Sequence, residues 1–191
     1  MKCVKEEIVN TIIIDKSEFI NILIPVNNKD NVKDIIDNIK TRWKDATHYC
    51  YAYIIGDYQK SSDDNEPGGT AGIPMLEVLI ANNFVDTLCV TVRYFGGIKL
   101  GAGGLSRAYR KSITENIKNN ESKIIEVTDG YLVELISDYD KQKEIDYTFK
   151  RIETKKFEDK ISYIIKVTKE EYELLKDKYD WKILNIIKVE I

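Results

Sequence analysis

The chain has 191 residues, of which 43% are hydrophobic and 32% charged, with a formal net charge of -3 at pH 7. This length and apolar content suffice for a buried core in one large or two small domains, whereas the negative charge argues against a protein that binds polyanions over its whole surface. The three cysteines are odd in number and lack C-x-x-C spacing, which indicates a reducing compartment rather than a disulfide framework or a zinc knuckle.

No stretch reaches the roughly 18 apolar residues that a membrane-spanning helix needs. The N-terminus lacks the apolar run of a signal peptide. We therefore expect a soluble, cytoplasmic protein without a membrane partner. A local basic patch on such a protein is compatible with the net charge.

The first two thirds of the chain contain the periodicities of both strands and helices. Short β-branched or aromatic runs predict strands, and apolar residues at three- and four-residue spacing predict helices with one buried face. Clusters of Gly, Asn and Asp predict the turns between them. In chain order the sequence predicts strands 8–14 and 19–26, helix 31–45, strand 48–55, an acidic loop to about Gly72, helix 74–81, strand 87–92, helix 104–119 and strand 123–128.

The last third has a pattern of its own. Asp129-Gly130 has the composition of a turn, so we place a domain boundary there, between 1–128 and 129–191. The βαββαβ order predicted after it is that of ferredoxin-like domains, and the predicted fold class is α+β with two domains. The predicted elements are strand 131–137, helix 139–150, strands 152–158 and 161–168, helix 169–179 and strand 182–190.

Unusual backbone geometry is concentrated in one stretch, because nine of the ten glycines lie between Gly56 and Gly104. Within this stretch, residues 57–86 carry six acids against one lysine, and residues 93–111 carry five cations and no acid. Loops of such composition on a regular scaffold are typical of functional surfaces. The sequence therefore predicts an acidic loop followed by a basic, glycine-rich turn.

The glycine-rich turn joins a predicted strand to a predicted helix, where backbone N–H groups and the helix dipole attract anions. It lacks the G-K-[ST] ending of a P-loop and the spacing of a dinucleotide site, and glycines also serve tight turning alone. We predict a contact with RNA or another anion. The residues expected there are Arg93, Gly96, Gly97, Lys99, Gly101, Gly103, Gly104, Arg107 and Arg110.

The acidic loop has two interpretations. Asp63, Asp64 and Glu66 are hard oxygen ligands of the kind that Mg²⁺ or Ca²⁺ takes, but the spacing of an EF-hand is missing. Asp also favours turns, and Glu66 could pair with Arg93 or Lys99. We predict neither a metal nor another cofactor.

His48 is the only histidine, and it has the chemistry of a general base that Asp64 or Glu66 could orient. A lone histidine beside a strand is more often structural, and Cys50 two residues away has no recognisable oxyanion site. The sequence therefore favours a protein that is not an enzyme. Aromatic side chains nearby could stack on bases or pack in the core. The predicted motif surface consists of His48, Asp63, Asp64, Glu66, Thr70, Tyr94 and Phe95.

Segments 63–72 and 93–105 together resemble the signature of the IMPACT/YigZ family, with support from 16–20 and 48–53. The resemblance implies an N-terminal α/β sandwich similar to the second domain of a small-subunit ribosomal protein. It also implies a C-terminal domain similar to domain V of elongation factor G. Gly68 stands where the family pattern has Ser, so the resemblance carries over no hydroxyl role at that position.

Eukaryotic members of this family regulate translation under starvation by binding the activator of an initiation-factor kinase, an interaction that we do not carry over. The resemblance implies an RNA- or ribosome-associated protein in the regulation of translation. One alternative is a hydrolase acting on a phosphate or peptide bond through the acidic loop and the glycine-rich turn. The other is a module that binds a protein partner.

Overall fold

The computed structural model describes residues 1–191 and is a mixed α/β structure with two sheets. Contacts divide the chain into two compact units, Met1–Ile125 and Glu126–Ile191. None of the helices combines the length and apolar character that crossing a membrane requires.

The first unit is built on a five-stranded antiparallel sheet. Its elements are β1 (Lys2–Val4), β2 (Ile8–Ile14), β3 (Ser17–Pro25), a 3-10 turn (Lys29–Asn31), α1 (Val32–Arg42), β4 (His48–Ile55), β5 (Tyr58–Ser62), α2 (Gly72–Ala81), β6 (Thr87–Tyr94), α3 (Gly101–Asn119) and a second 3-10 turn (Glu121–Lys123). The strand order is β2-β3-β6-β4-β5. Helix α1 packs on one face of the sheet, and α2 and α3 pack on the other.

The central strand β6 is buried on both faces. Leu88, Val90 and Val92 contribute to the core under α1, whereas Cys89 contributes to the core under α2 and α3. A strand covered on both sides needs apolar residues in continuous runs rather than in alternation. This burial extends to Arg93, which places a charged side chain at the edge of the core.

The second unit contains four antiparallel strands and a core of its own. Strand β7 (Ile124–Ser137) leads into it, followed by a 3-10 turn (Tyr139–Lys141), α4 (Gln142–Thr148), β8 (Ile152–Phe157), β9 (Ile161–Thr168), α5 (Lys169–Leu175) and β10 (Trp181–Glu190). The strand order is β8-β9-β7-β10. Helix α5 begins with a capping box between Thr168 and Glu171.

Three elements differ most from the sequence predictions, and others differ at their ends, such as α5, which ends at Leu175 rather than at residue 179. The turn at Asp129-Gly130 is wrong, because β7 continues through it; a Cβ on Gly130 would lie 2.2 Å from the Val167 carbonyl oxygen, so this glycine permits close strand packing. The loop predicted to follow Gly56-Asp57 instead begins with β5, a polar edge strand that pairs with β4. Helix α3 begins at Gly101 rather than at residue 104.

Candidate functional site

Asp63 organises the acidic loop by capping helix α2. Its Oδ1 accepts the N–H groups of Ala71 and Gly72 at 3.0 and 2.8 Å, and its Oδ2 accepts that of Gly69 at 2.8 Å. Helix N-termini leave such N–H groups without partners inside the helix. Burial alone would raise the pKa of the Asp63 carboxyl, but these backbone donors outweigh it and hold the pKa below its ordinary value. Asp63 is therefore a capping residue.

The chain reverses just after Asp63 and is attached there to β4. Asp64 and Asn65 both have left-handed backbones, with φ of 42° and 66°, a conformation that Asp and Asn tolerate better than most residues. The Asp64 carboxylate accepts the Tyr49 N–H at 2.7 Å, and its carbonyl oxygen lies 2.8 Å from His48 Nδ1. These two contacts hold the turn to β4, and Glu66, which follows the turn, lies in the interior.

Glu66 is a buried carboxylate surrounded by donors. It is 7% exposed, and its Oε1 accepts hydrogen bonds from Arg93 Nη1 at 2.5 Å and from the Tyr109 hydroxyl at 2.8 Å. Its Oε2 lies 3.7 Å from His48 Nε2. Because an unpaired buried charge is strongly unfavourable, this arrangement requires Glu66 and Arg93 together.

Arg93 in turn links the interior to an exposed aromatic ring. Its guanidinium carbon lies 5.3 Å from the ring centroid of Phe19 and 5.5 Å from that of Phe95. Phe19 is fully buried and contacts the Tyr109 ring edge-on at 5.3 Å. We call this series of contacts, Tyr109, Phe19, Arg93 and Phe95, the Phe95 stack. It runs from the core to the surface.

Cys50 completes the buried cluster without offering a reactive thiol. Its Sγ donates to the Asp63 carbonyl at 3.0 Å and lies 3.3 Å from the Tyr109 hydroxyl. Burial raises the pKa of the Cys50 thiol far above its ordinary value. Since the thiolate is the nucleophilic form, Cys50 is chemically inert in this environment.

The glycine-rich turn is held by hydrogen bonds to Ser17 of the β2–β3 hairpin and to Thr47, just before β4. The Gly96 N–H donates to Ser17 Oγ at 3.2 Å, and the Phe95 N–H donates to Thr47 Oγ1 at 3.0 Å. A Cβ on Gly96 would lie 2.0 Å from the Lys16 carbonyl carbon, so no other residue fits without movement. Gly97 has a φ of 85°, the left-handed region that glycine adopts at low cost.

Helix α3 begins at the end of this turn with its N-terminus open. No side chain caps it, and its first turn contains no acid. Residues 101–103, which contribute the first N–H groups of the helix, are exposed, and such N–H groups have no partner inside the helix. Lys99 and Arg107 are exposed and form no ion pair. This open end, flanked by two free cations, is the candidate anion-binding surface.

The other two predicted cations are differently placed. Arg93, expected among the phosphate contacts, lies 4% exposed because it is the ion-pair partner of Glu66. Arg110 is exposed and pairs with Glu77 on α2. Gly104, by contrast, lies at the open helix end, where a Cβ would meet Leu100 Cβ at 3.0 Å.

The motif surface separates into a buried cluster and a surface part. His48, Glu66 and Arg93 come together, whereas the Thr70 hydroxyl donates to Pro67 and the Tyr94 hydroxyl donates to Lys44. No group of three His, Cys, Asp or Glu side chains is arranged to hold a metal ion, since the acids of the loop are engaged by other donors.

Sequence reasoning missed two members of the buried cluster, Tyr109 and Ser17. Tyr109 fits the apolar stripe of α3, so the pattern gave no reason to expect its hydroxyl to bond a carboxylate. Ser17 accepts from the Gly96 N–H and lies 3.4 Å from Arg93 Nη2. The only signal for it was its position within the 16–20 segment of the family resemblance.

Comparison with known proteins gives one family. The family model of the Impact N-terminal domain matches residues 15–117. The IMPACT family member YvyE of Bacillus subtilis (strain 168) is 50% identical over 119 residues, which are 61% of this chain and 55% of that protein. The IMPACT family member YigZ of Escherichia coli (strain K12) is 37% identical over 110 residues, 55% of this chain and 54% of that protein. The matches thus span about half the length of these relatives.

The fold also has a solved counterpart. A crystal structure of a hypothetical protein is 22% identical and superposes with a TM-score of 0.62 over 96% of this chain and 97% of that chain. The segment 15–117 makes up more than half of the 191 residues and contains both the acidic loop and the glycine-rich turn. The chain belongs to the IMPACT family.

Proposed function

We propose that this IMPACT family member is an RNA- or ribosome-associated protein that acts in the regulation of translation. The observation that carries the proposal is the open N-terminus of α3 beside Lys99 and Arg107, two exposed cations without acidic partners. Unpaired N–H groups and the positive end of a helix dipole favour phosphate oxygens. Cations that no carboxylate neutralises are free to release counterions from RNA.

The electrostatics predict binding that is local and sensitive to salt. The chain as a whole carries a net charge of -3, so affinity must come from this surface rather than from a general positive field. With two cations on single-stranded RNA, the logarithm of the association constant should fall with the logarithm of salt concentration with a slope of about -1.4.

The proposal extends to the domains. We assign residues 1–128 to an IMPACT-type N-terminal domain and residues 129–191 to a ferredoxin-like domain similar to domain V of elongation factor G. This boundary lies within β7, three residues after the division between the two compact units. The β8-β9-β7-β10 order with two helices supports the second assignment. The similarity to domains of the translation machinery is an analogy of fold, so the argument for function rests on the α3 surface. A cytoplasmic location follows from the proposed role.

A hydrolase is the second candidate function. It is favoured by the closeness of His48, Glu66 and Arg93, which is the arrangement that a general base with an orienting carboxylate needs. Glu66, however, already accepts hydrogen bonds from Arg93 and Tyr109. Hydrolysis of phosphate esters or peptides that is lost in His48→Gln would favour this candidate, and inactivity of the wild type on both classes would remove it.

Binding to ribosomes and to total RNA at about 50 and about 200 mM salt tests the proposed function. We expect the wild type to bind in a salt-sensitive manner and Lys99→Ala/Arg107→Ala to lose most of that binding. Lys118→Ala is the matched control, since Lys118 is an exposed cation at the other end of α3. Equal binding by the double variant and the control would exclude this surface, and no binding by the wild type at low salt would overturn the proposed function.

A further inference from the structure

We propose that Phe95 is a stacking platform for an unpaired base and that the ligand of the glycine-rich turn is single-stranded RNA. The inference rests on the proposed function and names its ligand class. Phe95 is 45% exposed although it belongs to a stack whose other members are buried. An aromatic ring that protrudes from a rigid support is the feature that single-strand binders use to hold bases.

The support under the ring is fixed. The Arg93 guanidinium lies 5.5 Å from the Phe95 centroid and 5.3 Å from the Phe19 centroid, and it is held by Glu66 at 2.5 Å. Phe95 is in contact with Arg93 and is still 45% exposed, so part of the side chain stays open to a ligand. A base can stack there while Arg93 and Phe19 keep their positions.

The backbone that carries the ring is also ordered before binding. The Phe95 N–H is held by Thr47 Oγ1, and the Gly96 N–H is held by Ser17 Oγ. Close contact of Gly96 with the Lys16 carbonyl prevents the turn from shifting toward the hairpin. A preordered site loses little conformational entropy when a ligand binds, which raises the affinity gained from each contact.

The combination of ring and cations selects single strands. Base faces inside a duplex are covered by neighbouring bases, whereas an unpaired base offers a free face. Lys99 lies four residues after Phe95, at most about 14 Å away along the backbone, so a phosphate of the same short strand is within its reach. Stacking tolerates any base, so we expect little sequence preference.

Oligouridylate and a blunt-ended RNA duplex serve as probes for wild type, Phe95→Leu and Phe95→Trp. We expect Phe95→Leu, which keeps an apolar side chain but removes the ring, to weaken oligouridylate binding about 5- to 150-fold and to leave duplex binding unchanged. Phe95→Trp should bind oligouridylate at least as well as wild type, with quenching of the introduced indole. Tyr147→Leu is the control, because Tyr147 is a highly exposed ring in the second unit.

The outcomes separate this inference from the proposed function. The stacking role would be overturned if wild type and Phe95→Leu bind oligouridylate with equal affinity while Lys99→Ala/Arg107→Ala binds it weakly. The surface would then contact only the phosphates of the RNA. Equal affinity of the wild type for oligouridylate and the blunt-ended duplex would contradict single-strand selection. Failure of the wild type to bind either RNA would overturn the proposed function itself, and a protein partner whose binding Phe95→Leu abolishes would then explain the exposed ring.

Discussion

Glu66 is the residue on which the two motifs of the chain converge. It comes from the acidic loop, yet its partners come from β6, α3 and β4, so its position depends on three other elements. If Arg93 moved to the surface, the buried Glu66 carboxylate would lose its cationic partner. At the level of single residues, Arg93 is thus a structural cation, whereas Lys99 and Arg107 are exposed and free to bind a ligand.

We expect Glu66→Ala to lower the free energy of unfolding by about 3–5 kcal/mol, because it leaves the Arg93 charge buried and unpaired. Urea denaturation at neutral pH measures this change. Glu77→Ala is the matched control, since it removes an exposed partner of Arg110 and should cost less than about 1 kcal/mol. Equal costs for the two variants would contradict a structural role for the buried pair.

Asp63 makes the stability of the protein depend on pH. Its pKa is lowered in the folded state, so its contribution is complete above the unfolded value of about 3.9 and disappears as the pH falls through the lower folded value. We expect Asp63→Asn to lose about 1 kcal/mol at pH 7, and the gap to wild type to close below about pH 4. A gap that stays constant from neutral pH into acid would show that the carboxylate charge is not what caps α2.

Among the elements, α3 contains a position, Gly103, at which one substitution should affect stability and RNA binding in opposite directions. In the first turn of α3 a Cβ at this position would meet only Arg107 Nη1, at an ordinary 3.5 Å. Since glycine disfavours helices, Gly103→Ala should raise the free energy of unfolding by about 0.5–1 kcal/mol. If bare backbone is needed for a phosphate to approach, the same variant should bind RNA less tightly. Unchanged RNA affinity would mean that a Cβ at this position does not obstruct the approaching ligand.

How far the sequence predicts these elements depends on how local their cause is. Strand β4 and strand β9 have the predicted bounds, because aromatic and β-branched runs are a local signal. Strand β5 is polar and forms only because β4 offers it an edge, so no local pattern predicts it. At Gly130 the sequence predicts a turn, whereas the missing Cβ is needed because β9, which follows it in the chain, lies close by.

The same distinction holds for the candidate site. The acidic loop and the glycine-rich turn are continuous segments, so their composition alone indicates a candidate functional surface. The pairing of Glu66 with Arg93 was one of two pairings that charge allowed, and only the strand register decides between Arg93 and Lys99. The Tyr109 contact depends on the path of α3, which no spacing in the sequence specifies.

At the scale of the whole molecule, the two units carry one tryptophan each, Trp43 in the first and Trp181 in the second. Each lies against the core of its own unit. If the units are separate domains, Glu66→Ala in a Trp181→Phe background should lower the unfolding midpoint reported by Trp43. The same change in a Trp43→Phe background should leave the midpoint reported by Trp181 in place, whereas equal shifts would indicate a single cooperative unit.

Amide hydrogen exchange with and without oligouridylate shows whether RNA binds at the open end of α3. We predict slower exchange of the amides in 96–104 on addition of the RNA, and no such change in Lys99→Ala/Arg107→Ala. Binding that slows exchange only in other parts of the chain, and leaves exchange in residues 96–104 unchanged, would rule out the open end of α3 as the RNA site.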